Sequence, residues 1–345
     1  MMRLPLFAYH APRTLDEAAR ILDGEGPDAS LLAGGTDLLP NMKRRQQTPR
    51  AVIALRGVAE LRGIRWVDGG GLAIGACTTL TEIVRDARAR VSTAALWQAA
   101  AQIATPHLRN MGTIGGNLCL DTRCNYYDQN YEWRKAIDFC MKKDGEICWV
   151  ATGSPRCLAV SSTDGAPALM ALGARVRLVS RGGERDVALA DLYQNDGIHY
   201  LTRRPNEIVA DVKAPLLAGW RSAYWKLRRR GAFDFPVLSA AVAARVENGV
   251  VLESRIVLGS VASRPLLAPA ASEFLAGNRL DDDAIREAAG LAAQIAKPMD
   301  NTDFVLGWRK RMARDLVAHA LREIRGDDSR VARERLVRHS LLSVS

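Results

Sequence analysis

No stretch of the 345-residue sequence approaches the roughly 20 consecutive apolar residues that a membrane-spanning helix requires. Its opening, MMRLPLFAYHAPRTLDEAAR, lacks the apolar segment of a secretory signal, so a cytoplasmic location is the expectation. No G-x-G-x-x-G and no G-x-x-x-x-G-K-S/T occurs, which disfavours a dinucleotide fold of the Rossmann type and a P-loop. No C-x-x-C pair occurs, so the knuckles of most structural zinc sites are missing. Repeats and low-complexity tracts are absent. The net charge is +10, yet no module with aromatic platforms carries it, which argues against nucleic-acid binding. Part of the excess lies late: ten Lys/Arg against five Asp/Glu between Phe304 and Ser345. A solvated face of an amphipathic helix accounts for it, and a docking surface for acidic partner proteins is the alternative.

What is present is the mixture of a soluble globular chain, 48 % apolar and 25 % charged. At about 100–200 residues per domain the length allows two or three domains. Thr14, followed by Glu17 three residues on, predicts a capping box and a helix closed by Gly24 and Gly26. Short strands are expected at Ala29–Leu32 and Ala51–Leu55, so the first 55 or so residues read as a small β-α-β unit. GLAIGACTTLTEI reads as a strand entering a helix. STAALWQAAAQIA (Ser92–Ala104) reads as a helix capped by Ser92. APALMALGARVRLVS reads as a helix passing into a strand, and NEIVADVKAP as the last strand before a boundary near Pro215 and Gly219. The final third offers a strand at Val250–Leu258 and helices at Asp283–Ala296 and Phe304–Ile324. The class is α+β.

Two glycine turns carry candidate chemistry. Leu32-Ala33-Gly34-Gly35-Thr36-Asp37 follows an apolar strand, and Thr113-Ile114-Gly115-Gly116-Asn117 repeats the combination of hydroxyl, paired glycines and polar side chain. Such turns let the backbone approach a ligand and present amides to a phosphate, though a Gly-Gly turn is also an ordinary connection. Four of the six cysteines, Cys124, Cys140, Cys148 and Cys157, are separated by 16, 8 and 9 residues. Four thiolates suit a [4Fe–4S] cluster, a structural zinc, or buried thiols without ligand duty. Cys119, just behind the second turn, is a fifth candidate, and Cys77 reads as a small buried apolar residue. Tyr126, Tyr127, Tyr131, Trp133 and Trp149 would pack over this long segment. Six positive and six negative residues lie between Leu118 and Val160, so it is no basic face for an acidic donor, although Lys142 and Lys143 remain candidates for docking.

LLAGGTDLLPNMKRR, NMGTIGGNL, STDGAPALMALGARVRL, LRRRGAFDFPVLSAAVA and WRKRMARDLV, in this order from about Phe7 to Ile324, resemble the FAD-binding subunit of the xanthine dehydrogenase (molybdenum hydroxylase) family. In most members the second turn and the acidic position corresponding to Asp164 lie close together. Here 47 residues separate Asn117 from Asp164, and the cysteine segment is the extra length. That segment resembles the four-cysteine loop of one branch of the family, the 4-hydroxybenzoyl-CoA reductases, in which it holds a [4Fe–4S] cluster.

The resemblance implies a two-subdomain, PCMH-type FAD-binding domain over residues 1–216, divided near residues 56/57, with the cluster loop at about 119–160. A smaller α+β domain would occupy 217–345. It implies FAD diphosphate at Leu32, Ala33, Gly34, Gly35, Thr36 and Asp37 on one side and at Thr113, Gly115, Gly116 and Asn117 on the other. Asp164 would face the ribityl hydroxyls and Lys226 the flavin, a solvated surface lysine being the alternative for Lys226. Cys124, Cys140, Cys148 and Cys157 would ligate iron. The implied role is electron transfer from ferredoxin through the cluster and FAD toward a [2Fe–2S] small subunit and a molybdenum-cofactor large subunit, as a dimer of trimers that removes the phenolic hydroxyl of an aromatic acyl-CoA. No catalytic acid, base or nucleophile is assigned to this chain. Two other readings stand beside it: a FAD subunit of a xanthine- or aldehyde-oxidising member, and a zinc-stapled assembly protein without a redox role.

Overall fold

A computed structural model describes residues 3–67, 71–215 and 218–342. The first unit contains β1 (Ala8–His10), α1 (Leu15–Glu25), β2 (Ala29–Leu32), α2 (Leu38–Lys43) and β3 (Ala51–Ala54), with strand order β1-β3-β2 and parallel pairing throughout. Leu15, Ala18, Ala19 and Leu22 give α1 one buried face, packed with Ile53, Leu55 and Leu61. Thr14 Oγ1 caps α1 by accepting from the Glu17 amide at 3.1 Å. The Glu17 carboxylate accepts from Arg13 N instead of Thr14 N, so the expected reciprocal box is only half made. A full box forms later, at Thr79 and Glu82. Gly26 ends α1, at φ 72°, and Gly24 lies inside it.

The second sheet has order β4-β5-β8-β6-β7, all antiparallel. Its strands are β4 (Ile64–Val67), β5 (Gly71–Gly75), β6 (Arg175–Ser180), β7 (Gly183–Ala188) and β8 (Ile208–Pro215). Between β5 and β6 run α3 (Leu80–Arg85), α4 (Ala87–Ser92), α5 (Ala94–Gln102), α6 (Pro106–Arg109), α7 (Ile114–Leu118), α8 (Tyr131–Ala136) and α9 (Gly165–Ala171). Ser92 does not cap the expected long helix: it ends α4. Thr93, whose hydroxyl donates to Ala89 O at 2.9 Å, separates α4 from α5. The second glycine turn is also more regular than expected. Thr113 Oγ1 accepts from Gly116 N, so the two glycines begin α7.

The third sheet has order β12-β11-β10-β9, antiparallel, from β9 (Trp220–Leu227), β10 (Leu238–Glu247), β11 (Val250–Gly259) and β12 (Leu266–Leu267). It carries α10 (Pro269–Leu275), α11 (Asp282–Gln294), α12 (Leu306–Arg325) and α13 (Arg330–Leu342). β10 is buried on both faces from Leu238 to Ala244. Ala240, Val242 and Ala244 join the core under α11 and α12, while Ala241 and Ala243 join that of the second sheet, with α5 and α9. Small side chains on the latter face allow that close approach. The expected boundary at residues 216/217 lies outside the described residues.

Between α7 and α9 the chain leaves the body at Arg123 and returns at Val160. The two residues pair antiparallel, Arg123 N donating to Val160 O (2.8 Å) and Val160 N to Arg123 O (2.7 Å). Only α8 is regular within this excursion. It has an apolar core of its own, built on Cys124, Tyr127, Cys140, Cys157 and Ala159.

Candidate functional site

A cleft of about 570 Å³ opens beside the parallel sheet. Leu32, Ala33, Gly34, Gly35, Thr36, Asp37, Thr113, Gly115, Gly116, Asn117 and Asp164 all line it, so the two glycine turns share one cavity. Close backbone packing explains two of the glycines, Gly34 against the segment of the second turn and Gly115 against Ala76. A Cβ on Gly34 would overlap the Met111 carbonyl, and one on Gly115 would lie 2.6 Å from the Ala76 side chain. Gly35 has φ +75°, a left-handed conformation that β-carbon sterics disfavour. Among the described residues, no carbonyl or side chain accepts from the amides of Gly34, Gly35, Thr36 and Asp37. A row of unpaired backbone donors in a cleft calls for an anionic ligand, and a diphosphate fits it.

On the second turn, Asn117 Oδ1 accepts from Thr163 Oγ1 and Gly165 N, both at 2.8 Å, which leaves its amide NH₂ for the cleft. Asp164 is buried at the cleft wall. Tyr224 OH donates to its Oδ1 at 2.6 Å, and Lys226 Nζ lies 3.0 Å from that oxygen and 3.1 Å from Oδ2. Burial raises the Asp164 carboxyl above its ordinary range against the pull of the lysine, and burial lowers the Lys226 ammonium. The lysine side chain is 0 % exposed, which excludes the solvated surface alternative. It does not line the cleft: it stands behind Asp164, and Nζ also donates to Gln102 O at 3.2 Å.

Asp37 contributes its amide, while its carboxylate turns away to the Arg123 guanidinium. Arg123 also donates to Asn41 Oδ1 (3.3 Å) and stacks over Phe235, 4.9 Å from its ring centre. Sequence reading missed this arginine, although it sits directly before Cys124. It ties the cysteine loop to the first glycine turn. Cys119 and the buried Cys77 both line the cleft, the Cys77 thiol pushed up to about 11 by burial.

All six cysteines are free, and Cys124, Cys140, Cys148 and Cys157 are all buried. Burial pushes the Cys124 thiol up to about 12 and Cys157 to about 11, each raised further by neighbouring cysteines of the set. The amides of Tyr126 and Tyr127 turn toward Cys124 sulfur, and Ala159 N donates to Cys157 Sγ at 3.4 Å. Among the described residues, no three His, Cys, Asp or Glu groups approach closely enough to share a single ion. Lys142, expected as a docking residue, is instead buried: it donates to Asp121 Oδ1 (2.8 Å), Thr122 Oγ1 (2.7 Å) and Gly197 O (2.7 Å). Lys143 stays partly exposed beside Asp144.

The fold and its cleft define a flavin-binding subunit. The FAD binding domain in molybdopterin dehydrogenase matches residues 5–217, and the CO dehydrogenase flavoprotein C-terminal domain matches residues 222–324. The chain belongs to this family of FAD-binding subunits. It is 31 % identical over 317 residues to the carbon monoxide dehydrogenase medium chain of Afipia carboxidovorans, covering 91 % of this chain and 95 % of the relative. It is 34 % identical over 278 residues to the aldehyde oxidoreductase FAD-binding subunit of Escherichia coli K12, covering 78 % and 86 %. A chain of the reconstituted CO dehydrogenase from Oligotropha carboxidovorans superposes with a TM-score of 0.77 at 29 % identity, covering 95 % of this chain and 100 % of that one.

Proposed function

We propose that this chain is the electron-relay flavoprotein of a molybdenum-containing oxidoreductase of the 4-hydroxybenzoyl-CoA reductase type. Its partners would be a molybdenum-cofactor large subunit, a [2Fe–2S] small subunit and a ferredoxin-type donor, in a cytoplasm that keeps its thiols reduced. The observation that carries the reading is the gathering of four buried thiols on one inserted loop, joined through Arg123 to the turn with free amides. When bound, FAD exchanges one or two electrons and a [4Fe–4S] cluster one, which couples a single-electron donor to two-electron chemistry.

The residues of the chain bind and orient. The amides of Gly34 to Asp37, the hydroxyls of Thr36 and Thr113 and the Asn117 amide would hold the diphosphate. Asp164, held by Tyr224 and Lys226, keeps lone pairs for the ribityl hydroxyls. Cys124, Cys140, Cys148 and Cys157 would hold the cluster, and the amides that point at the Cys124 and Cys157 sulfurs oppose the larger effect of burial on those two thiols. A tetrahedral zinc, with Zn–S distances of about 2.3 Å, needs ligands drawn around one ion. No three such groups meet around one ion among the described residues, and a cubane, which takes each thiolate at a separate iron, does not require them to. No helix among the described residues is long and apolar enough to cross a membrane.

A second reading, the FAD subunit of an oxidising enzyme, draws support from the names of the relatives, which act on carbon monoxide and aldehydes. Anaerobic purification of the complex tests both. Iron, sulfide and flavin are measured on the separated subunit, and turnover is compared between 4-hydroxybenzoyl-CoA, carbon monoxide, an aldehyde and xanthine. Four irons per flavin in this chain with reduction of the acyl-CoA is the expected result. Turnover of only the other substrates selects the second reading. One zinc and a colourless chain would return the assembly-protein reading.

A further inference from the structure

The Asp121–Lys142 pair is a buried ion pair that flavin binding and thiol ligation leave unused. Both side chains are 7 % exposed. Asp121 lines the cleft, and its other oxygen accepts from Gln47 Nε2 at 3.1 Å and from Tyr127 OH at 3.4 Å. Lys142 lies on the opposite side, toward the cysteines. Its ammonium donates to the carbonyl of Gly197, and Gly197 is packed so closely on Cys157 that a Cβ there would fall 2.6 Å from the sulfur. The ammonium also sits over the rings of Tyr127 (5.0 Å) and Tyr200 (5.7 Å), whose π-faces favour a cation. Three acceptors and two aromatic faces fix the charge in place. A buried ammonium held this firmly, against the desolvation it suffers, is a candidate for a tuned field.

We propose that Asp121 and Lys142 form an oriented dipole between the cysteine core and the flavin cleft, with Lys142 raising the reduction potential of the four-thiolate site relative to that of the flavin. The inference rests on the reading given above and names two residues that set its energetics. Adding one electron to a site ligated by four thiolates adds one negative charge, and a fixed positive charge in a poorly screened interior favours that state. The Asp121 carboxylate, at the cleft wall, opposes accumulation of electrons on the flavin side by the same argument. Together they narrow the downhill step from the cysteine core to the cleft. Each centre can then be refilled without trapping the electron on the flavin.

The test uses the anaerobically purified complex, titrated with dithionite and followed by EPR for the cluster and by absorption for the flavin. In Lys142→Met the cluster potential falls, changing the electron distribution between cluster and flavin about tenfold, equivalent to about 59 mV for a one-electron couple. Lys142→Arg, which keeps the charge, stays near wild type. Asp121→Asn, which keeps the lysine, raises the flavin potential. An unchanged cluster potential in Lys142→Met with four irons still bound overturns the proposal, and so does a Lys142→Arg shift as large as that of methionine. Should Lys142→Met fail to assemble, an unmoved flavin potential in Asp121→Asn overturns it as well. A wild-type subunit with flavin and no iron removes the parent reading itself, an outcome separated from the others by metal analysis alone.

Discussion

Lys226 and Gly197 show what single residues contribute here. Removing one partner of a buried ion pair leaves an uncompensated charge and costs about 3–5 kcal/mol. Lys226→Ala, which strands Asp164 at 2 % exposure, is therefore expected to lower stability by that order in denaturant unfolding and to reduce flavin content. Adding Asp164→Asn, which removes the stranded charge, restores part of the stability, the non-additivity expected of groups in contact. Equal losses in the single and double variants would show that the pair is not the source. Gly197→Ala acts on the cysteine site proposed to hold the cluster. Its methyl would meet Cys157 Sγ and the Ala159 amide (2.8 Å), and the latter is backbone that cannot swing aside. Iron in the subunit is expected to fall several-fold while flavin stays near one per chain; full iron occupancy would contradict the packing. Nothing in the local sequence around Gly197 announces this contact, because Cys157 lies 40 positions earlier in the chain.

At the scale of elements, α1, β2, β3, β11 and α11 were legible because their apolar periodicity and caps are local. β9 and β10 were not. WKLRRRGAFDFPVLSAAVAARV offers no alternation, since β10 is covered on both faces and its alanines serve two cores at once. The two glycine turns stood out for their paired glycines, whereas Arg123 and Tyr224 reach the site only through long-range folding. The packing of α12 on β9 gives a test in solution. His319 stacks on Trp225, ring centres 4.7 Å apart and 18° from parallel. Burial lowers its pKa from the ordinary 6.5, and Arg322 and Arg333 push the same way while Asp315 opposes them. A histidine depressed in the folded state contributes stability that is present above its unfolded pKa and lost as pH falls through the lower folded value. Unfolding midpoints are thus expected to fall between neutral pH and about pH 5, and His319→Phe, which keeps the stack without the titration, to show a shallower decline. Identical pH slopes would exclude the contribution.

At the scale of the whole molecule, the chain is a flavin-binding body carrying a separable cysteine loop, the one to which the proposed function assigns the iron. The loop has its own small core, and its ends meet as a hydrogen-bonded antiparallel pair at Arg123 and Val160. That is the geometry a two-residue hairpin turn closes, so residues 124–159 can be replaced by Asn-Gly in a type I′ turn. Among the attachments lost are Gln46 Nε2 to Tyr127 O (2.7 Å), Asn301 Nδ2 to Leu158 O (2.7 Å), and Lys142 to Asp121. The first two release polar side chains near the new surface, where water replaces the partner at small cost. The third would strand a carboxylate, so the excision carries Asp121→Asn. Arg123 remains on Asp37, and none of the residues with free amides on the first turn is touched. The excised chain is expected to fold, to bind flavin at about the wild-type ratio and to contain no iron, read by flavin absorbance and metal analysis. Loss of flavin from a variant that still unfolds cooperatively would show that the loop shapes the cleft as well as feeding it. The separation between the flavin-binding body and the electron entry, on which the proposed function depends, would then have to be redrawn.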